Sequence, residues 1–268
     1  MTNSLTTPGA LLADMRQTVP LVQCITNFVA MNISANVLLA TGASPAMVHS
    51  NEEAGEFATF AGALTINIGT LSPDWLIGMH SAARAATAAD RPWVFDPVAL
   101  YATDFRRRAA AGLMDLCPTI VRGNVSEIIA LAGRKGLGKG VDSGDAVSAA
   151  EDAALQVSRS SGAIVAVTGE TDCVTDGQKS ARIAGGSSLM PKVTALGCSL
   201  TCLVGAFAAL VPKNPFDATV AALAVFAVAG ERAGGQADGP GSFGWRFLDA
   251  LAALQPGDLD ARARVVMA

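Results

Sequence analysis

The sequence predicts an α/β protein built on a mainly parallel sheet with helices over both faces, in three layers. Short apolar or β-branched runs recur along the chain, and longer Ala-rich stretches at helical spacing separate them. Hydrophobic residues make up 51% of the 268 positions, enough for a large core of small side chains. The apolar runs are nearly continuous, as in strands buried on both faces. No repeat, linker or low-complexity segment interrupts them, so residues 1–268 are expected to form a single domain.

The elements follow in order. PLVQCITN (20–27) is a strand leaving at Thr26-Asn27, and VAMNISANVLLATGA is a helix that Gly42 stops. SPAMVH (44–49) is a short strand, and NEEAGEFATFAGA a helix with acidic residues in its first turn. Further buried strands are expected at 63–69, 93–98, 119–124 and 163–169, with helices near 73–89, 104–116, 125–132 and 144–161. CVTDGQKSARIAGG reads as a hairpin turning at Asp176-Gly177. Residues 198–230 read as helix, 234–244 as a loop, and Trp245–Leu254 as a last helix. In such a sheet ligands bind beyond the carboxyl ends of the strands. The residues standing there are Asn27, Met47, Gly69, Asp96, Arg122, Asn124 and Thr168.

Composition excludes several classes of partner. A net charge of −4 argues against nucleic acid, and the run Arg106-Arg107-Arg108 reads as a solvated helix face. The five cysteines form no CxxC, and with only His49 and His80 a zinc site is not expected. The N-terminal stretch lacks a basic and apolar leader, and the apolar runs 202–211 and 218–229 are too short to span a bilayer. A reduced, cytoplasmic protein with no membrane partner is expected.

Five stretches carry possible chemistry. GRKGLGKG (133–140) approaches a phosphate loop, but Gly140 replaces the Ser or Thr that magnesium needs, and a helix precedes it; it reads as a connection. FDPV puts Asp96 at a strand end, as a turn former or as a holder of magnesium. In RGNVSEI, Asn124 and Glu127 fit an ordinary helix cap, yet Arg122, Asn124 and Glu127 together also suit phosphate and a hydrated magnesium ion. VTGE (167–170) is equally a plain turn or a close approach to a nucleotide at Thr168. In VTALGCSLTCLVGAF, Ala195, Leu196 and Gly197 lead into a helix whose first amides suit a developing negative charge, with the Cys198 thiol among them. The other four cysteines read as core fillers.

QCITNFV, SPAMVH, FDPVAL, RGNVSEI, VTGETD and VTALGCSLTCLVGAF, in this order and spacing, resemble the hydroxyethylthiazole kinase family. The resemblance runs from about residue 11 to the C-terminus. It implies a ribokinase-like fold without a lid domain and ATP-dependent phosphorylation of 4-methyl-5-(2-hydroxyethyl)thiazole, with Mg2+ as cofactor. It implies that Cys198 stands where most relatives of the wider fold carry an aspartate base. Met47 and Asn27 should meet the thiazole, and Ala195 and Gly197 should flank its hydroxyethyl arm. Arg122 and Thr168 should contact ATP, with Asn124 in support, and Asp96 and Glu127 should organise the metal. It further implies a homotrimer with active sites between subunits. Ala195 departs from the glycine usual there, so it should narrow the anion hole or impose a negative φ. Sister kinases of hydroxymethylpyrimidine or pyridoxal, a dehydratase of hydrated nicotinamide nucleotides, and a non-catalytic sensor are the competing readings.

Overall fold

The computed structural model describes residues 6–133 and 143–268. The elements run α1 (Pro8–Thr18), β1 (Leu21–Ile25), α2 (Met31–Thr41), β2 (Ser44–Ala46), α3 (Ala54–Phe60), β3 (Ala63–Asn67), α4 (Pro73–Ala88), β4 (Trp93–Asp96) and α5 (Asp104–Met114). They continue β5 (Ile120–Asn124), α6 (Val125–Leu131), α7 (Ser143–Ser161), β6 (Ile164–Thr168), β7 (Thr171–Thr175) and β8 (Ser180–Ala184). The chain closes with α8 (Leu196–Leu210), α9 (Pro215–Gly234), α10 (Pro240–Ala253), α11 (Pro256–Arg262) and β9 (Arg264–Met267).

All nine strands among the described residues belong to one sheet, ordered β2-β1-β3-β4-β5-β6-β7-β8-β9. The first six are parallel and the last three antiparallel. Alternate strand side chains feed three hydrophobic clusters, one on one face of the sheet and two on the other. Val22, Cys24, Val94 and Ile120 face a cluster shared with α1, α2, α8, α9 and α10. Ile25, Leu64, Ile66 and Phe95 face α3, α4 and α5, while Val121 and Val165 meet α6 and α7. The three-layer expectation holds.

Helix α8 lies close on the sheet because of one residue. A Cβ at Gly205 would stand 2.4 Å from Cγ2 of Thr65 on β3. Gly205→Ala is therefore expected to destabilise the fold by about 1–3 kcal/mol, the clash outweighing better helix propensity. Thermal unfolding measures it.

Several boundaries differ from expectation. The run 198–230 is two helices, because Pro212 and Pro215 remove amide donors and break the turn between Leu210 and Pro215. The segment 234–244 is not all loop, since α10 begins at Pro240. Helix α1, capped by the Thr7 hydroxyl with Pro8 in its first turn, was not expected, nor were α11 and β9. Cys117 is exposed and is no core filler, whereas Cys24, Cys173 and Cys202 are buried. Most of the GRKGLGKG stretch lies outside the described residues.

Candidate active site

The strand order reverses at β1, whose neighbours are β2 and β3, and the crevice beyond such a switch point is where doubly wound sheets bind ligands. Asn27, just past β1, and Asn67, at the end of β3, stand on its two sides. Asn67 and Asp96 are register partners across β3 and β4, as are Asn124 and Thr168 across β5 and β6. Sheet pairing thus sets these side chains in one row.

Hydrogen bonds and one ion pair link the row. Asn27 Nδ2 donates to Cys198 Sγ at 3.3 Å and to Asn67 Oδ1 at 2.9 Å. Asn67 Nδ2 donates to Asp96 Oδ2 at 2.7 Å, and the Thr201 hydroxyl donates to the same oxygen at 2.8 Å. Arg122 places Nη1 3.7 Å from Asp96 Oδ2 and donates from Nη2 to Thr168 Oγ1. Asn124 and Glu127 form a reciprocal cap: Asn124 N–H donates to Glu127 Oε2 and Glu127 N–H to Asn124 Oδ1. Glu127 Oε1 accepts from the Ala99 amide at 3.0 Å. So the capping pattern is present, and it also brings the Glu127 carboxylate beside Asp96.

Electrostatics follow from burial. Asp96 is 0% exposed, and its desolvation pushes its carboxyl up to about 6, against the pull of Arg122. Burial, then the charge of Asp96, push the Cys198 thiol up to about 11, with the Asn27 hydrogen bond opposing. The neutral thiol is the resting form at pH 7. Burial likewise raises the Asp172 carboxyl to about 6, where it accepts from the Gly169 amide and ties down the turn after Thr168.

The first turn of α8 completes the site. Its N-cap, Ala195, has φ 61° and ψ 13° and offers no side-chain cap, so the leading amides of the helix have no side-chain acceptor from that residue. The alanine does not impose a negative φ; it accepts the left-handed conformation that glycine adopts freely, at a cost of roughly 1–2 kcal/mol. Gly197 is constrained differently: a Cβ there would lie 3.1 Å from both terminal nitrogens of Arg122. A cavity of about 360 Å3 opens here, lined by Asp96, Arg122, Glu127, Ala195, Gly197 and Cys198 among others. A larger one of about 590 Å3 lies between α5, α6 and α7, away from this row. Convergent polar groups, not volume, mark the candidate site.

Nine of the ten expected residues therefore meet here; Met47 does not join the row. It follows edge strand β2, half-buried against the α8-side core, its carbonyl 3.1 Å from His49 Nδ1. Asn67 and Thr201 were missed by sequence reasoning. Each had a signal: a polar residue ending an apolar strand, and a hydroxyl three residues after Cys198 on the same helix. Arg106 was misassigned. It is half-buried and donates to three carbonyls of the site loops, while Arg107 and Arg108 are exposed as expected.

A donor set of two buried carboxylates suits magnesium, which holds one or two carboxylates and keeps several waters. Asp96 Oδ1 is buried without a protein partner, an acceptor left for such an ion. Among the described residues no group of three or more metal-ligating side chains gathers, as a closed structural metal site would need.

Comparison with known proteins gives a consistent result. The model of the hydroxyethylthiazole kinase family matches residues 12–257. A hydroxyethylthiazole kinase of Rhizobium rhizogenes is 70% identical over 266 residues, 99% of each chain. One from Cereibacter sphaeroides strain KD131 is 64% identical over 257 residues, 96% of this chain and 97% of that protein. The solved hydroxyethylthiazole kinase of Pyrococcus horikoshii superposes with a TM-score of 0.90 at 36% identity, covering 97% of this chain and 98% of that one. A Staphylococcus aureus pyridoxal kinase in complex with AMP-PCP and pyridoxal matches at TM-score 0.64 and 17% identity, over 93% and 99% of the two chains, a likeness of fold alone. With a family model spanning most of its length and relatives of this identity, the chain belongs to the hydroxyethylthiazole kinase family and is a kinase.

Proposed function

We propose that the protein transfers the terminal phosphoryl group of ATP to the primary alcohol of 4-methyl-5-(2-hydroxyethyl)thiazole, giving 4-methyl-5-(2-phosphooxyethyl)thiazole and ADP, in thiamine biosynthesis or salvage. The observation that carries this reading is the meeting of the α8 first turn with Arg122, Asp96 and Cys198 in one cleft. Phosphoryl transfer needs little covalent help from protein, so positioning and charge stabilisation decide it.

Each residue then has a task. Arg122, steadied by Thr168, neutralises ATP phosphate oxygens, with Asn124 in support. The α8 amides receive charge that develops on the moving phosphoryl group. Asp96 and Glu127 would hold Mg2+. Bound magnesium supplies charge neutralisation on the phosphates. Ala195 and Gly197 flank the hydroxyethyl arm, Asn27 faces the ring, and Cys198 stands by the hydroxyl; Met47, outside the row, would reach only the far edge of the ring. With its thiol near 11, only about one molecule in 10⁴ carries thiolate at pH 7. Cys198 therefore assists proton removal without being indispensable.

The unbroken sheet supports reading residues 1–268 as one domain. A homotrimer is part of this reading; exposed Phe28 and Val29, 66% and 57% accessible and directly after Asn27, support a subunit contact beside the site. A neighbouring subunit there would exclude water from the site. No helix among the described residues is long and apolar enough to cross a membrane, in keeping with a cytoplasmic location.

The test is incubation with Mg-ATP and each candidate alcohol, with products read by mass. Phosphorylated thiazole is the expected product. Phosphorylated pyrimidine or pyridoxal without phosphorylated thiazole overturns the reading, as does binding of both ligands with no turnover.

A further inference from the structure

We propose that Arg106 is a positioning residue of the phosphoryl-transfer site, holding the loops after β3 and β4 at a fixed separation; this rests on the kinase reading above. Arg106 lies in the first turn of α5, where a cation faces the positive end of the helix and is disfavoured. Three main-chain carbonyls offset that. Nη1 donates to Ile68 O at 2.5 Å and Val98 O at 2.9 Å, and Nη2 to Gly69 O at 2.6 Å.

These carbonyls belong to the two loops that carry the site. Gly69 lies two residues past Asn67 and donates its amide to Asn67 Oδ1 at 2.9 Å. It also packs so near Asn27 that an added Cβ would stand 2.7 Å from Nδ2. Gly69 thus sets both amides of the row that ends on Cys198. Val98 lies two residues past Asp96, and the next residue, Ala99, gives its amide to Glu127. Ala99 holds a left-handed φ of 49°, so this contact depends on an unfavoured backbone state. One guanidinium therefore ties the acceptor side of the cleft, Cys198 and Asn27, to the carboxylate side, Asp96 and Glu127. A planar fork of fixed geometry does this; the point charge of a lysine does not reproduce it. Misplacement by about 1 Å between reacting groups costs about 10²-fold in rate.

The experiment compares wild type, Arg106→Ala, Arg106→Lys and Arg107→Ala as a surface control. Turnover, KM for both substrates, melting temperature and the rate at which iodoacetamide labels Cys198, resolved from exposed Cys117 by peptide mass, are measured. Arg106→Ala is expected to lose about 10–100-fold in kcat with KM for either substrate within about threefold, the size of effect typical for supporting residues of a site. Millimolar guanidinium should restore part of that kcat, Arg106→Lys should recover little, and Arg107→Ala should match wild type. Cys198 labelling should quicken several-fold in Arg106→Ala and Arg106→Lys but not in Arg107→Ala. A lower melting temperature with unchanged kcat overturns the proposal, as does a kcat loss that guanidinium leaves untouched. If wild type phosphorylates no thiazole, the kinase reading fails separately, and the labelling rate still decides: an unchanged rate in Arg106→Ala overturns the positioning role.

Discussion

Asp96→Asn is expected to abolish most phosphoryl transfer while making the ligand-free protein more stable at pH 7. The loss follows from removing the buried charge proposed to hold magnesium and paired with Arg122, and should be on the order of 10³-fold in kcat. The gain follows from the raised carboxyl. A group whose folded pKa is raised, here from 3.8 to about 6, favours the fold fully below pH 3.8 and loses that contribution as pH rises through about 6. At pH 7 the ionised form costs on the order of 3 kcal/mol. Asparagine keeps an oxygen for the Asn67 and Thr201 donors but forfeits the attraction of Arg122. A net gain of about 1–2 kcal/mol at pH 7, fading between pH 6 and pH 4, is therefore expected. Urea unfolding across that range without added metal measures it. A variant less stable than wild type at pH 7 contradicts the argument.

Cys198 should separate assistance from necessity. Cys198→Ala is expected to lower kcat by on the order of 10²-fold or less, the low end for a positioned base, because the thiol is neutral over most of the accessible pH range. Since thiolate grows about tenfold per pH unit below its pKa, wild-type kcat should climb toward pH 9–10 while that of Cys198→Ala stays flat. Cys198→Asp should remain active and lose the alkaline climb, its carboxylate being ionised already. A covalent phosphocysteine, or complete loss in Cys198→Ala, contradicts the assignment.

Much of the fold was legible because parallel strands such as β6, with Ile164 and Ala166 on one face and Val165 and Val167 on the other, are apolar on both faces, and burial is written into composition. What was not legible depends on geometry beyond the local chain. Strand β9 is mostly exposed and held by pairing with β8, and its apolar run Val265-Val266-Met267 is too short to mark a strand by itself. Arg106 looks like its neighbours in a charge run, and nothing local says that three carbonyls face it. Helix α1 carries a readable start at Thr7-Pro8, but its low apolar content beyond Leu11, Leu12 and Met15 gives the stretch little helical pattern. At the site, strand-end reasoning found Asn27, Asp96, Arg122 and Thr168. The link through Asn67 joins residues 40 and 29 positions away, and only the folded sheet makes that join.

That join has a bearing on how the protein acquires its chemistry. Because neighbouring residues of the polar row are carried by adjacent strands, their spacing is a property of backbone pairing and needs no later adjustment of a flap or arm. A chain with β1 and β3 not yet side by side lacks the bridge from Asn27 through Asn67 to Asp96. The acceptor half of the cleft meets the carboxylate half only when those two strands join.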